Sequence, residues 1–127
     1  MKRIHVVDDN EAFSELVEMV FNAEFEVLKA GDGEQGLKLA HEEKPDVILL
    51  DVMMPKISGV EMLRQLQSDM ETRAIPVIIL TATKFDDSTH TMFKQEPNVR
   101  SLLRKPCGME SLKSEVEKVL NGKAAGN

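Results

Sequence analysis

Pro45-Asp46-Val47-Ile48-Leu49-Leu50-Asp51-Val52-Met53-Met54-Pro55 is the stretch that decides the fold. Its four consecutive apolar residues, 47–50, are too few for a helix and leave no polar face for water, so they read as a strand buried on both sides. Such strands lie at the centre of parallel sheets that carry helices on both faces. Val77–Leu80 has the same character, and Ile4–Val7, Phe25–Ala30 and Val99–Leu103 supply three more short strands.

The segments between the strands carry helical periodicity. Phe13, Leu16, Val17 and Val20 stand at i, i+3, i+4 and i+7 behind Asn10, a residue suited to an N-cap. Gly31-Asp32-Gly33 opens a second helix near 34–44, which Pro45 closes, and Gly59 precedes a third with Val60, Leu63 and Leu66. A thin stripe of Phe85, Thr89, Met92 and Phe93 marks a helix around 86–95, expected to be mobile because its Ser and Thr residues are modest helix formers. Met109, Leu112, Val116, Val119 and Leu120 form the apolar stripe of the last helix. Strand and helix thus alternate five times, the pattern of an α/β domain around a parallel sheet. Residues 1–121 are read as that domain, and Gly-Lys-Ala-Ala-Gly-Asn at 122–127 as a flexible tail of linker composition.

Composition narrows the function. The 127 residues are 42% hydrophobic and 30% charged, the balance of a globular domain. Sixteen Lys and Arg against 22 Asp and Glu leave a formal charge of −6, which argues against direct nucleic-acid binding. Cys107 is the single cysteine, so no internal disulfide forms and a buried structural thiol is its plain reading. The apolar stretch after Met1-Lys2-Arg3 ends at Val7, too short for an export signal, and no apolar run approaches a membrane span of ~20 residues. A cytoplasmic location is the expectation, with no membrane partner.

In an open parallel sheet, ligands bind beyond the carboxyl ends of the strands, near the point where strand order reverses. Here those ends deliver Asp8-Asp9, Asp51, Thr81-Ala82 and Arg104-Lys105-Pro106. Singly, each has a structural explanation: a helix cap, a turn, a satisfied strand end, a solvated charge. Together they do not, because three carboxylates on adjacent strand ends repel one another unless a cation or proton offsets them. Oxygen-only ligands favour Mg²⁺; zinc would call for His or Cys, and His5, His41 and His90 show no ligand spacing with Cys107. The three histidines take structural or surface roles.

Asp8-Asp9, Asp51-Val52-Met53-Met54-Pro55 with Gly59, Thr81-Ala82 and Lys105-Pro106 resemble, in order and spacing, the signature of response-regulator receiver domains. The resemblance covers nearly the whole chain. It implies a flavodoxin-like (βα)5 fold with strand order 2-1-3-4-5 and helices on both faces. It implies that Asp51 is the nucleophile that accepts a phosphoryl group from a histidine kinase, a phosphotransfer protein or a small phosphodonor. Asp9 and Asp51 would hold Mg²⁺ directly with the Met53 main-chain carbonyl, and Asp8 mostly through water. Lys105, aimed by a cis Lys105–Pro106 peptide, and the Thr81 hydroxyl would each meet a phosphoryl oxygen, with main-chain amides around Met53 and Ala82 completing the cradle. Thr83 offers a second hydroxyl, but Thr81 directly follows the strand; Met53 and Thr83 resemble positions that tune water access. The resemblance further implies protein partners: the kinase, and a downstream or fused effector that reads the surface of the 86–95 helix, the fifth strand and the last helix. Dimerisation on phosphorylation is a further possibility of the family.

Two positions depart from the pattern. Leu102 stands where relatives commonly carry an aromatic switch residue, and Gln95-Glu96-Pro97-Asn98 replaces a Gly-Ala pair ahead of the fifth strand. Three other functions compete. A haloacid-dehalogenase-type phosphatase needs a second acid two residues after the nucleophile, where this chain has Met53. A flavodoxin-like flavin binder lacks its phosphate loop here and has neither Trp nor Tyr to stack on the ring. A receiver-like docking module that takes no phosphoryl group would have little use for the acids, Thr81 and Lys105.

Overall fold

All five residues of Val47–Asp51 are buried, as a strand with helices on both sides requires. The computed structural model describes residues 2–51, 59–81, 93, 95–104 and 108–124. Its strands are β1 (Lys2–Val7), β2 (Phe25–Ala30), β3 (Val47–Asp51), β4 (Val77–Thr81) and β5 (Val99–Arg104), and they form one parallel sheet in the order β2-β1-β3-β4-β5. Fold class and strand order agree with the sequence reading. The described helices are α1 (Glu11–Phe21), α2 (Gly33–Glu43), α3 (Gly59–Ser68) and α4 (Met109–Ala124). Of the helix expected around 86–95, residues 86–92 and 94 lie outside the described residues.

Strand pleating sorts the core into two layers. Ile4, Val6, Val47, Leu49, Ile78 and Leu80 face α1 and α4, while Val7, Ile48, Leu50, Val77 and Ile79 face α2 and α3. Both faces of β3 and β4 are therefore dry over 47–50 and 77–80, which is why those stretches are almost purely apolar.

Local chemistry sets the helix ends. The Asn10 side chain accepts the Phe13 N–H, and the Asp32 side chain accepts the Gln35 N–H at 2.8 Å, so both are N-caps. α2 stops at Lys44, whose φ of 46° is left-handed, with Pro45 behind it.

Two sequence readings shift. The buried stripe of α1 is Ser14, Val17 and Phe21, whereas Leu16 is 42% exposed. The buried face is centred on Phe21, which packs edge-on against Phe25 with ring centroids 5.8 Å apart, leaving Phe13 and Val20 as flanks. α4 also runs on through Ala124, past 121, even though Gly122 is a poor helix former.

Candidate functional site

Parallel pairing puts Val7 beside Leu50, so the next residues along the two central strands, Asp8 and Asp51, emerge side by side. β1 and β3 are also where the strand order reverses, since the chain leaves β1 for β2 on one side and returns to β3 on the other. Asp8 is 2% exposed and Asp51 7%, while Asp9 faces water. Carboxylate oxygens from Asp8, Asp9 and Asp51 all lie within 4.8 Å of one another. The turn that carries the first two is held on both sides: Asp8 N–H donates to the Ala30 carbonyl at 3.0 Å, and Asn10 N–H donates to Asp8 Oδ1 at 2.9 Å.

This donor set fits Mg²⁺. Ligand oxygens at about 2.0–2.1 Å around an octahedral ion are separated by about 2.9 Å when adjacent and about 4.2 Å when opposite, distances that the cluster can meet. Two nearly buried carboxylates and an exposed third also leave one side open for water or a phosphoryl oxygen. Without a counter-ion, the same crowding is a like-charge cost.

Thr81 ends β4 and pairs in register with Arg104, while Asp51 pairs with Leu80, so Thr81 lies one residue beyond the neighbour of Asp51 on the same end of the sheet. Lys105 follows Arg104 in sequence. The Thr81 side chain and the whole of Met53 and Lys105 lie outside the described residues, as do Met54, Ala82, Thr83, His90, Pro106 and Cys107. Leu102 is partly buried against the layer that contains Phe93. In the Gln95–Asn98 turn, the Asn98 carbonyl accepts the Val77 N–H at 2.7 Å, which ties the start of β5 to the start of β4.

Next to the acid cluster opens a cavity of about 440 Å³ whose walls include Asp8, Glu11, Glu15 and Asp32. Lys29 also borders it, with its ammonium 2.8 Å from Glu18; that hydrogen bond holds the lysine above its ordinary pKa. The sequence reading had not gathered Glu11 and Asp32 around this end, since their approach depends on the β1–β2 pairing.

His5 has the structural role expected of it. It is fully buried, with Nε2 3.0 Å from the Gly36 carbonyl oxygen and Nδ1 3.5 Å from that of Leu28. His41 lies on the surface as expected, but it has company that no sequence spacing announces: Asp69 and Glu71 flank its two ring nitrogens.

A family profile described as the response regulator receiver domain matches residues 4–117. Protein PilH of Pseudomonas aeruginosa is 42% identical over 123 residues, covering 96% of this chain and 100% of that protein. The alkaline phosphatase synthesis transcriptional regulatory protein PhoP of Bacillus subtilis is 35% identical over 122 residues, covering 94% of this chain and 48% of PhoP. Among solved structures, the chemotaxis protein CheY4 of Vibrio cholerae superposes with a TM-score of 0.85 at 27% identity, covering 94% of this chain and 98% of that one. With the profile spanning most of the sequence and PilH matched along its full length, the chain belongs to the response regulator receiver domains, the regulatory modules of two-component signalling.

Proposed function

We propose that Asp51 accepts a phosphoryl group with Mg²⁺ bound beside it and that the modified domain signals by changing its protein-binding surface. The observation that carries this reading is the convergence of the Asp8, Asp9 and Asp51 carboxylates at the strand-order reversal. A carboxylate oxygen of Asp51 attacks phosphorus, and the P–N bond of a phosphohistidine, or the P–O bond of a small phosphodonor, breaks. The leaving imidazole or oxyanion keeps the electron pair and collects a proton from solvent. Asp9, Asp51 and the Met53 carbonyl would hold Mg²⁺, with Asp8 acting through water, and the ion would neutralise charge on the incoming phosphoryl oxygens.

The protein's own contribution is position. Asp51 is fixed at the rigid end of a fully buried strand, and Asp8 is pinned by two main-chain bonds, so little is left to organise when the donor arrives. Lys105 and the Thr81 hydroxyl take the remaining phosphoryl oxygens, and the added charge of about −1.5 to −2 draws their two loops inward. Leu102, partly buried in the layer of Phe93, is the side chain whose packing responds in place of an aromatic switch. The donor partner is a histidine kinase or phosphotransfer protein in the cytoplasm, and the receiving partner is a downstream or fused effector. Among the described residues, no helix is long and apolar enough to cross a membrane.

Intact mass after incubation with a small phosphodonor and Mg²⁺ tests the chemistry. One added phosphoryl group that disappears in Asp51→Ala and in metal-free buffer is the expected result. If several donors, including a phosphohistidine protein, leave the chain unmodified, phosphorylation-independent docking becomes the better account.

A further inference from the structure

α2 leaves the carboxyl end of β2 and returns to the opposite end of the sheet, which brings His41 near its C-terminus against the turn that follows α3. There His41 Nδ1 lies 2.9 Å from Asp69 Oδ2, and Nε2 lies 3.3 Å from Glu71 Oε2. The three side chains are 39–54% exposed, so the group is open to solvent rather than sealed as a core hydrogen-bond network. Beside it lies a cavity of about 330 Å³ that His41 and Asp69 share with Glu42 and Gln65.

The two flanking carboxylates are not equivalent. Glu71 also faces the Lys44 ammonium at 3.7 Å, which draws on its charge. Asp69 feels the Lys44 charge only at longer range: Oδ1 accepts the Glu71 N–H at 2.9 Å, and Oδ2 faces the imidazole. The Glu71 N–H bond and the His41 contact keep Asp69 ionised below the ordinary carboxylate range. A metal ligated at about 2.0–2.2 Å with an angle of 90–110° holds its N and O donors about 2.9–3.5 Å apart, so the Nδ1–Oδ2 edge already has coordination spacing. The Glu71 carboxylate, 3.3 Å from Nε2, stands where a carboxylate–histidine–metal arrangement has the partner that orients the ring.

We propose that His41 Nδ1 and Asp69 Oδ2 form a second metal site, for a borderline divalent cation such as Zn²⁺, with Glu71 as its positioning residue and Glu42, Gln65 and water available in the cavity. The imidazole donor separates it from the all-oxygen cluster of Asp8, Asp9 and Asp51, which suits a hard ion. Binding takes the Nδ1 lone pair, so any proton on Nδ1 is released to solvent, and the remaining proton is on Nε2, facing Glu71. The ion would bridge α2 and the α3–β4 turn, at the end of the sheet away from Asp51.

The test is a Zn²⁺ titration of the full chain followed by long-range ¹H–¹⁵N imidazole spectra, with Mg²⁺ in excess to compete for the oxygen-only cluster. The expected result is a metal-bound His41 Nδ1 with Nε2 still protonated and the His5 signals unmoved. Affinity should be lost in His41→Gln, fall at least tenfold in Asp69→Asn, and fall about 10–100-fold in Glu71→Gln. All three positions are substantially exposed, and unchanged amide spectra will confirm that each variant folds. Zn²⁺ bound equally well by His41→Gln would place the ion elsewhere, for instance on the Cys107 thiol, and overturn the proposal. So would His41 nitrogens that stay unmoved at saturating Zn²⁺, or a metal seated on Nε2.

Discussion

His5 Nε2 lies 3.0 Å from the Gly36 carbonyl oxygen, joining the middle of β1 to the first turns of α2 through a buried imidazole. Burial disfavours the imidazolium and pushes His5 below its ordinary pKa, although the Gly36 and Leu28 carbonyls pull the other way. A neutral ring has one N–H to donate, and of its two nitrogens Nε2 makes the shorter contact with a carbonyl.

That shift makes stability depend on pH. The unfolded chain protonates His5 near pH 6.5 and the folded protein only below it, so between the two values the unfolded state binds more protons. The His5 contribution is complete above about pH 6.5 and is lost as pH falls toward the lower folded value, with a slope of at most ~1.4 kcal/mol per pH unit. Urea midpoints measured from pH 7.5 to 5 should fall for the wild type and flatten in His5→Gln. Parallel slopes in the two proteins would mean that the ring charges in place.

Gly36 itself is fixed by the same contact between helix and sheet. A Cβ there would stand 2.9 Å from Val7 Cγ1 and 3.0 Å from Met62 Cε. Met62 can swing its methyl aside, but Val7 is branched and held in β1. Overpacking of about 1–3 kcal/mol, offset by roughly 1 kcal/mol of helix propensity, leaves Gly36→Ala less stable by up to about 2 kcal/mol. A denaturant midpoint at or above the wild-type value would refute this close approach.

Arg3 closes the far end of α2. Its guanidinium donates to the Glu43 carbonyl at 2.8 Å and to Glu26 at 3.1 Å, while its own N–H donates to Asp46 at 2.8 Å. The first bond satisfies an orphan carbonyl and sets a cation at a helix C-terminus. Arg3→Ala should cost about 1 kcal/mol and should expose the amide protons of the last turn of α2 to faster hydrogen exchange. Exchange that speeds up uniformly across the protein, or not at all, would assign the arginine no capping role.

The carboxylate trio makes the opposite prediction about charge. In metal-free buffer, Asp9→Asn and Asp51→Asn each remove one partner of a repelling group and should raise stability by about 1–2 kcal/mol. Mg²⁺ should then stabilise the wild type more than either variant, through linkage of binding to folding. Far-UV circular dichroism melts with and without Mg²⁺ check both parts. Equal Mg²⁺ effects in all three proteins would remove the trio as the metal ligands.

Much of this protein is legible in its sequence because the signals are local. Four apolar residues at 47–50 announce a doubly buried strand, and Asn10 and Asp32 announce helix starts through side chains that reach only three residues ahead. The acids at the strand ends were legible for a similar reason: in a parallel sheet every strand points the same way, so residues that follow strands share one end. The extent of α4 was less legible, because helix propagation through Asn121 and Gly122 is set by the packed turns before them.

The sequence by itself determined the alternation of strand and helix, the acid-rich carboxyl end and the resemblance that orders the strands. Only the tertiary structure decided which face of α1 is buried, that Gly36 must lack a side chain, and that His41 meets Asp69, 28 residues away, and Glu71 beyond it. Periodicity and capping act over one turn of chain and leave their mark in neighbouring residues, whereas those three outcomes depend on how two separately formed elements are pressed together by the core between them.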